Sequence, residues 1–132
     1  MVRTLDTRFF LTHLLVDDEA LKQKVKSKMI ELRKESAIVP TIVIHEVYKF
    51  EYQKLGKTTA DIDVRTIENA GFKIVDLNTN IAKTAATLRC RLGNLPTADS
   101  IIAATAIEQR AYQVVSDDEH FSKIKEINAE WL

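Results

Sequence analysis

The side chains best placed to do chemistry in this sequence are carboxylates, and the most constrained of them is Asp99. It lies in residues 94–107, NLPTADSIIAATAI, where Thr97 follows Pro96 and is expected to cap a helix that carries Asp99 in its first turn. On that helix the acid shares a face with Ile102, Ala103 and Ala106, because residues three, four and seven apart line up. An acid in a first turn also complements the helix dipole, an effect worth less than about 1 kcal/mol. Here, however, it sits on the face that must pack, where small alanines let other backbone come close. A carboxylate in such a place needs a cation or several hydrogen-bond donors.

Other acids stand where they could join it. Asp6 follows an extended run at residues 2–5, and Asp117 and Asp118 follow another, YQVVS, at 112–116. Glu46 lies between Ile42 and Phe50 on the margin of the apolar arc of a helix over 41–55. Glu51 sits at least as deep in that arc, and spacing alone does not choose between the two. The run His45-Glu46-Val47-Tyr48-Lys49 resembles the HExxH zinc signature, but Lys49 stands where the second histidine belongs. His13, His45 and His120 are otherwise scattered, so each is expected to be an ordinary core or surface histidine.

The elements that must position these acids follow from the pattern of apolar residues. A strand at 2–5 leads through Asp6 into a helix at 7–16. A second helix at 18–35 has Leu21, Val25, Met29 and Leu32 as its core stripe. Its other faces carry Lys22, Lys24, Lys26, Lys28, Arg33 and Lys34 against Glu31, a solvated face or a track for phosphates. A strand at 37–39 stops at Pro40, and Thr41 is expected to cap the next helix, which ends at Gly56. A more polar helix at 58–70 ends at Gly71, and FKIVDL at 72–77 is a third strand. The helix at 79–92 has Ile81, Ala85, Leu88 and Leu92 as its stripe and is expected to close at Gly93. The Asp99 helix then runs to about Arg110, the fourth strand follows, and the tail adds an edge strand near Trp131.

Short apolar strands alternating with helices specify an α/β fold, a three-layer α/β/α arrangement with a mostly parallel central sheet of four to five strands. The 132 residues form one domain, residues 1–132, long enough to bury roughly two thirds of the unfolded surface. Lys plus Arg and Asp plus Glu both number 19, so no global field favours nucleic acid or membrane, and any such binding must be local. The lone Cys90 forms no internal disulfide, and neither a signal peptide nor an 18-residue apolar run is present, so a cytoplasmic protein is expected. None of the three glycines lies in a phosphate-binding loop motif.

In parallel sheets ligands bind beyond the carboxyl ends of the strands, where the strand order switches. Asp6 and Asp118 follow strands directly, and Glu46 and Asp99 lie within two turns of helix starts, so all four could lean over one rim. Two such carboxylates about 4 Å apart would repel by about 4 kcal/mol at an effective dielectric of 20. Bound cations relieve that repulsion, and an open all-oxygen site suits Mg²⁺ or Mn²⁺ better than zinc. Such an ion activates water and neutralises the charge of an in-line displacement at phosphorus, which is nuclease chemistry.

Taken together, Asp6-Thr7, Glu46 in TIVIHEVYKF, PTADSIIAATA and VVSDDEHF resemble the PIN-domain ribonucleases, in particular the VapC-like toxins of toxin–antitoxin pairs. The likeness runs from about Val2 to Phe121, and residues 95–106 are its most specific part. It implies Asp6, Glu46, Asp99 and Asp118 as catalytic, metal-holding positions and favours Glu46 over Glu51. It gives Ser116 the role of orienting a carboxylate, with Asp117 as a second acid competing for the fourth place. It also implies Mg²⁺ (or Mn²⁺), an RNA substrate, a homodimer or higher homo-oligomer, and an antitoxin protein as partner, with no membrane involved. Arg8 stands where the family more often has a small or neutral polar residue, and its guanidinium either contacts phosphate or points away. Two other readings are a non-catalytic PIN-like module binding RNA or protein and a housekeeping RNA-processing nuclease. A phosphoacceptor receiver domain would want paired acids after the first strand, where Asp6 stands alone.

Overall fold

Strands of three or four residues cannot pair with their immediate successors through tight turns when a helix intervenes, so they line up in parallel. The computed structural model describes residues 1–132. The order is β1 (Arg3–Leu5), α1 (Thr7–Leu15), α2 (Glu19–Glu35), β2 (Ala37–Pro40), α3 (Thr41–Leu55), α4 (Lys57–Glu68) and β3 (Lys73–Val75). It continues with α5 (Thr79–Arg91), α6 (Thr97–Glu108), β4 (Gln113–Val115), α7 (Glu119–Ser122) and β5 (Asn128–Glu130). The five strands form one all-parallel sheet in the order β3-β2-β1-β4-β5, the centre of a three-layer α/β/α fold. The register pairs Leu5 with Val115 and Thr4 with both Ile38 and Val114. The chain therefore builds outward from β1 through β2 to β3, then returns to place β4 on the other side of β1. The crevice expected at a switch in strand order falls between β1 and β4.

One contiguous core of 28 residues holds the layers together. Phe9 and Phe10 of α1 meet edge to face with centroids 5.5 Å apart, and Phe10 meets Phe72 in the same way at 6.4 Å. Such contacts add about 0.5–1.5 kcal/mol to the burial itself. The buried Thr4 hydroxyl donates to the carbonyl of Ala111 at 2.8 Å, tying the middle of β1 to the segment before β4. Helix α6 departs from a one-faced stripe: Ser100, Thr105 and Ala104 are buried along with Ile102, Ala103 and Ala106. Small side chains let it sit inside the molecule against α5 and the sheet, and the serine and threonine hydroxyls are satisfied by the carbonyls of Thr97 and Ile101.

Neither expected threonine cap forms. Pro40 and Pro96 occupy the N-cap positions of α3 and α6 in extended conformation and offer no side-chain acceptor, so Thr41 and Thr97 become the first helical residues. Proline with its fixed φ suits that boundary, which displaces the threonines by one place. Gly56 and Gly71 are left-handed at φ +92°, as helix and turn stops require, whereas Gly93 is not: α5 already ends at Arg91, with the N–H of Leu92 on the carbonyl of Leu88 at 2.8 Å. The basic side of α2 is partly spent on structure, because Lys28 pairs with Glu31 and Glu130, and Arg3 joins the same network with Glu35. No helix is long and apolar enough to cross a membrane.

On α3 the buried line Val43, Val47, Glu51 continues a core stripe with a carboxylate. Glu51 is 0% exposed and neither of its oxygens has a hydrogen-bond partner. Burial first, and then the neighbouring Asp63 carboxylate, push its pKa up to about 7. The folded pKa lies above the unfolded one, so the folded state binds more protons between roughly pH 4.5 and 7, and stability falls as pH rises through that window. Replacing the buried charge with an apolar side chain of similar volume, Glu51→Leu, is expected to stabilise the protein by about 1–3 kcal/mol at pH 8. Denaturant unfolding at pH 5 and pH 8 checks this; an equal advantage at both pH values would mean that Glu51 is not the group responsible.

Candidate metal and active site

The acids expected from sequence converge on the carboxyl ends of β1 and β4. Asp6 is the residue after β1 and caps α1, with Oδ1 accepting from the Thr7 N–H at 2.8 Å. Its own N–H reaches the carbonyl of Val115 at 3.3 Å, so the backbone of β4 fixes the turn that carries it. The Thr7 hydroxyl, on the next residue, donates to Glu46 Oε1 at 2.5 Å and holds that carboxylate from α3 toward Asp6. Ser116, the residue after β4, donates its hydroxyl to Asp6 Oδ2 at 2.5 Å and accepts the N–H of Asp118 at 3.0 Å. Asp118 in turn caps α7, its Oδ1 accepting the N–H of His120 at 2.9 Å.

His120 completes the array. Its Nδ1 lies 2.9 Å from Asp118 Oδ1 and 3.0 Å from Asp99 Oδ2, yet it is aligned for a hydrogen bond with neither, and the nitrogen is buried although a third of the side chain is exposed. Glu46, Asp6, Asp118 and Asp99 are thus linked in one run through Thr7, Ser116 and His120. The reading of His120 as an ordinary core or surface histidine does not hold. A side chain two residues after an N-cap acid stands beside the cap, so the spacing Asp118-x-His120 carried part of this contact; its contact with Asp99 depends on α6 and α7 packing together.

Glu46 faces Thr7, whereas Glu51 is sealed within the protein away from this array. Asp117 turns outward and pairs with the exposed Arg8. That leaves Asp118 facing Asp99 and gives the Arg8 guanidinium a carboxylate partner at the rim.

Electrostatics follow from crowding. Asp6 is 2% exposed; burial, and then the charges of Asp99 and Glu46, raise its pKa to about 6 against the lowering effect of the Ser116 and Thr7 hydrogen bonds. Asp99 is also pushed to about 6, by burial and by Asp118 and Glu46, with His120 acting in the opposite direction. Such clusters of raised carboxylates mark functional sites more often than structural ones. One ligand atom each from Asp99, Asp118 and His120 lies within 4.8 Å of the other two. Two carboxylate oxygens and one imidazole nitrogen form a donor set that can hold a divalent cation. The residues fit a divalent ion on this ground: its charge would relieve the repulsion that lifts both pKa values, and the misaligned Nδ1 gains a partner.

Folded pKa values near 6 lie above the unfolded 3.8, so in a metal-free solution stability falls as pH rises from about 4 to 6 and stays low above that. Asp99→Asn is therefore expected to raise the melting temperature in EDTA at pH 8 by a few degrees, about 1–2 kcal/mol, with the gain shrinking at pH 4.5. Thermal unfolding at the two pH values decides it, and a variant less stable than its parent at pH 8 would show that the carboxylates are not in conflict.

The sequence model of the PIN domain matches residues 4–127. No curated protein matches the sequence significantly. Among solved structures, the chain is similar to the VapBC2 complex of Rickettsia felis bound to a promoter DNA fragment, with a TM-score of 0.82, 18% identity, and coverage of 99% of this chain and 98% of that one. It is similar to DNA-bound VapBC of Salmonella typhimurium at a TM-score of 0.79 and 19% identity, again covering 99% and 98%. A third likeness is to VapC20 of Mycobacterium tuberculosis, described as a sarcin-ricin loop cleaving toxin, at a TM-score of 0.77 and 12% identity, over 96% of this chain and 98% of that one. At these identities the likeness is one of fold. With the family's pattern spanning nearly its whole length, this chain belongs to the PIN domain family.

Proposed function

We propose that residues 1–132 form a single PIN domain acting as a metal-dependent endoribonuclease, the toxin of a toxin–antitoxin pair. The observation that carries this reading is the linked run of Glu46, Asp6, Asp118 and Asp99 at the switch between β1 and β4. Membership of the PIN family and the likeness to VapBC complexes and to a toxin that cleaves the sarcin-ricin loop support an RNA substrate and an antitoxin protein as partner. Exposed Tyr52, Leu55 and Ile62 on α3 and α4 support a homodimer or higher homo-oligomer, and the absence of a membrane-crossing helix accords with a cytoplasmic location.

In this reading Asp6, Asp99 and Asp118 hold Mg²⁺ or Mn²⁺, and Glu46 holds the ion or orients the attacking water. When bound there, such an ion would supply an acidified water and positive charge opposite the phosphate. The chain's own residues preorganise the rest. Ser116 keeps the Asp6 oxygens turned toward the crevice, Thr7 fixes Glu46, and Asp117 holds Arg8 at the rim, where its guanidinium lies beside an approaching phosphate. Because such dipoles and charges are set before substrate arrives, they cost no reorganisation during the reaction.

Asp6→Asn and Asp99→Asn are expected to lower Mn²⁺-dependent cleavage of RNA by more than about a hundredfold while leaving the circular dichroism spectrum unchanged. Mn²⁺ at a hundred times its Kd should stabilise the parent by about 2.7 kcal/mol and the Asp99→Asn variant far less. Cleavage retained in either variant would remove the claim. A non-catalytic module would show neither cleavage nor the metal-dependent shift.

A further inference from the structure

A groove of about 410 Å³ opens directly from the Glu46 side of the acidic array and is not used by the reading above. Its volume falls within the ordinary range for small-ligand sites, roughly 300–1,000 Å³. Thr7 and Glu46 form the end that joins the array, and His45, Lys49, Phe50 and Gln53 line the rest from one side of α3. The spacing explains the arrangement: residues 42, 45, 46, 49, 50 and 53 recur at three and four along a helix, so one face of α3 carries an acid at the active site, then the cation Lys49, then an aromatic ring. Phe50 is 36% exposed, which leaves ring surface open in a groove that Leu11 and Ile42 also line. His45 and Lys49 are exposed, and Lys54 Nζ stands over one face of the Phe50 ring, 5.9 Å from its centroid. Thr97 and Ala98, from the first turn of α6 that no side chain caps, also line the groove, and free helix-start N–H groups favour anions.

We propose that this groove is a nucleotide subsite for single-stranded RNA, in which the base next to the cleaved bond stacks on Phe50 and its phosphate is held by Lys49 with the start of α6. This rests on the nuclease reading and names the substrate form. The chemistry selects an unpaired strand, because a base inside a duplex has no free face to offer Phe50, whereas stacking on an aromatic side chain is open to any unpaired base. Lys49 lies beyond Glu46 along α3 and adds positive charge next to the acidic array, so the groove gives that array a polarity: the strand reaches it over Phe50 and Lys49.

The test measures binding without turnover, with Ca²⁺ replacing Mg²⁺ or Mn²⁺, on the full chain and a six-nucleotide single-stranded RNA carrying 2-aminopurine at each position in turn. The parent should quench 2-aminopurine strongly at one position and bind the single strand more tightly than a duplex of the same sequence. Phe50→Ala should weaken binding about tenfold and abolish the quenching, while Phe50→Trp restores both. Lys49→Glu should weaken binding and flatten its salt dependence by about one phosphate, a slope change near 0.7. If the parent cleaves RNA but Phe50→Ala and Lys49→Glu bind the hexanucleotide as it does, the subsite is wrong and the nuclease reading stands, leaving the groove to a protein segment. If the parent neither binds nor cleaves RNA, both fall together.

Discussion

Same-sign charge held in a confined space is the constraint around which this protein is built. Asp6 is almost fully buried at the end of the central strand, with Asp99 and Glu46 close enough to raise its pKa. Leaving carboxylates in such a place costs free energy unless donors or cations face them. The protein supplies donors to three of the four acids: the Thr7 amide and the Ser116 hydroxyl to Asp6, the Thr7 hydroxyl to Glu46, and the His120 amide to Asp118. These bonds hold the acids in position without neutralising them, which is the condition a cation-binding site requires.

The sheet makes that arrangement rigid. Asp6 and Ser116 follow directly on paired strands whose register sets Leu5 against Val115, so the hydroxyl and the carboxylate it serves are placed by backbone hydrogen bonds. Glu46 and Asp99 come from helices, where one residue more or less of chain would rotate them away by about 100°. Proline at the N-cap of both α3 and α6 fixes where those helices begin and hence the direction in which each acid projects. Side chains mounted on such elements keep their geometry far better than side chains on loops.

Two glutamates five residues apart on α3 show how environment divides like residues. Glu46 lies on the flank of the helix that faces the crevice and finds the Thr7 hydroxyl. Glu51 lies on the line of Val43 and Val47, and is buried with no partner for either oxygen. The first is held as an acceptor at a site; burial and Asp63 push the second toward its protonated form. The two aspartates after β4 divide in the same way, Asp117 to the surface with Arg8 and Asp118 inward to Asp99 and His120.

Apolar periodicity and the stop signals at Pro40, Gly56 and Gly71 were enough to determine the order of the five strands and of the helices up to α6, the mostly parallel character of the sheet, and the placement of Asp6 and Asp118 after strand ends; the short helix α7 was not among them. These are local properties, carried by patterns a few residues long. The cap positions at Thr41 and Thr97 went one place astray because proline satisfies the same boundary by its own φ. Glu46 could not be told from Glu51 by spacing, since both border one arc and only the packing of α3 against its neighbours decides which of them meets Thr7. His120 looked like any isolated histidine for the same reason. Its contact with Asp99 joins residues on separate helices, and no periodicity within one segment carries information about a neighbour that only folding brings near.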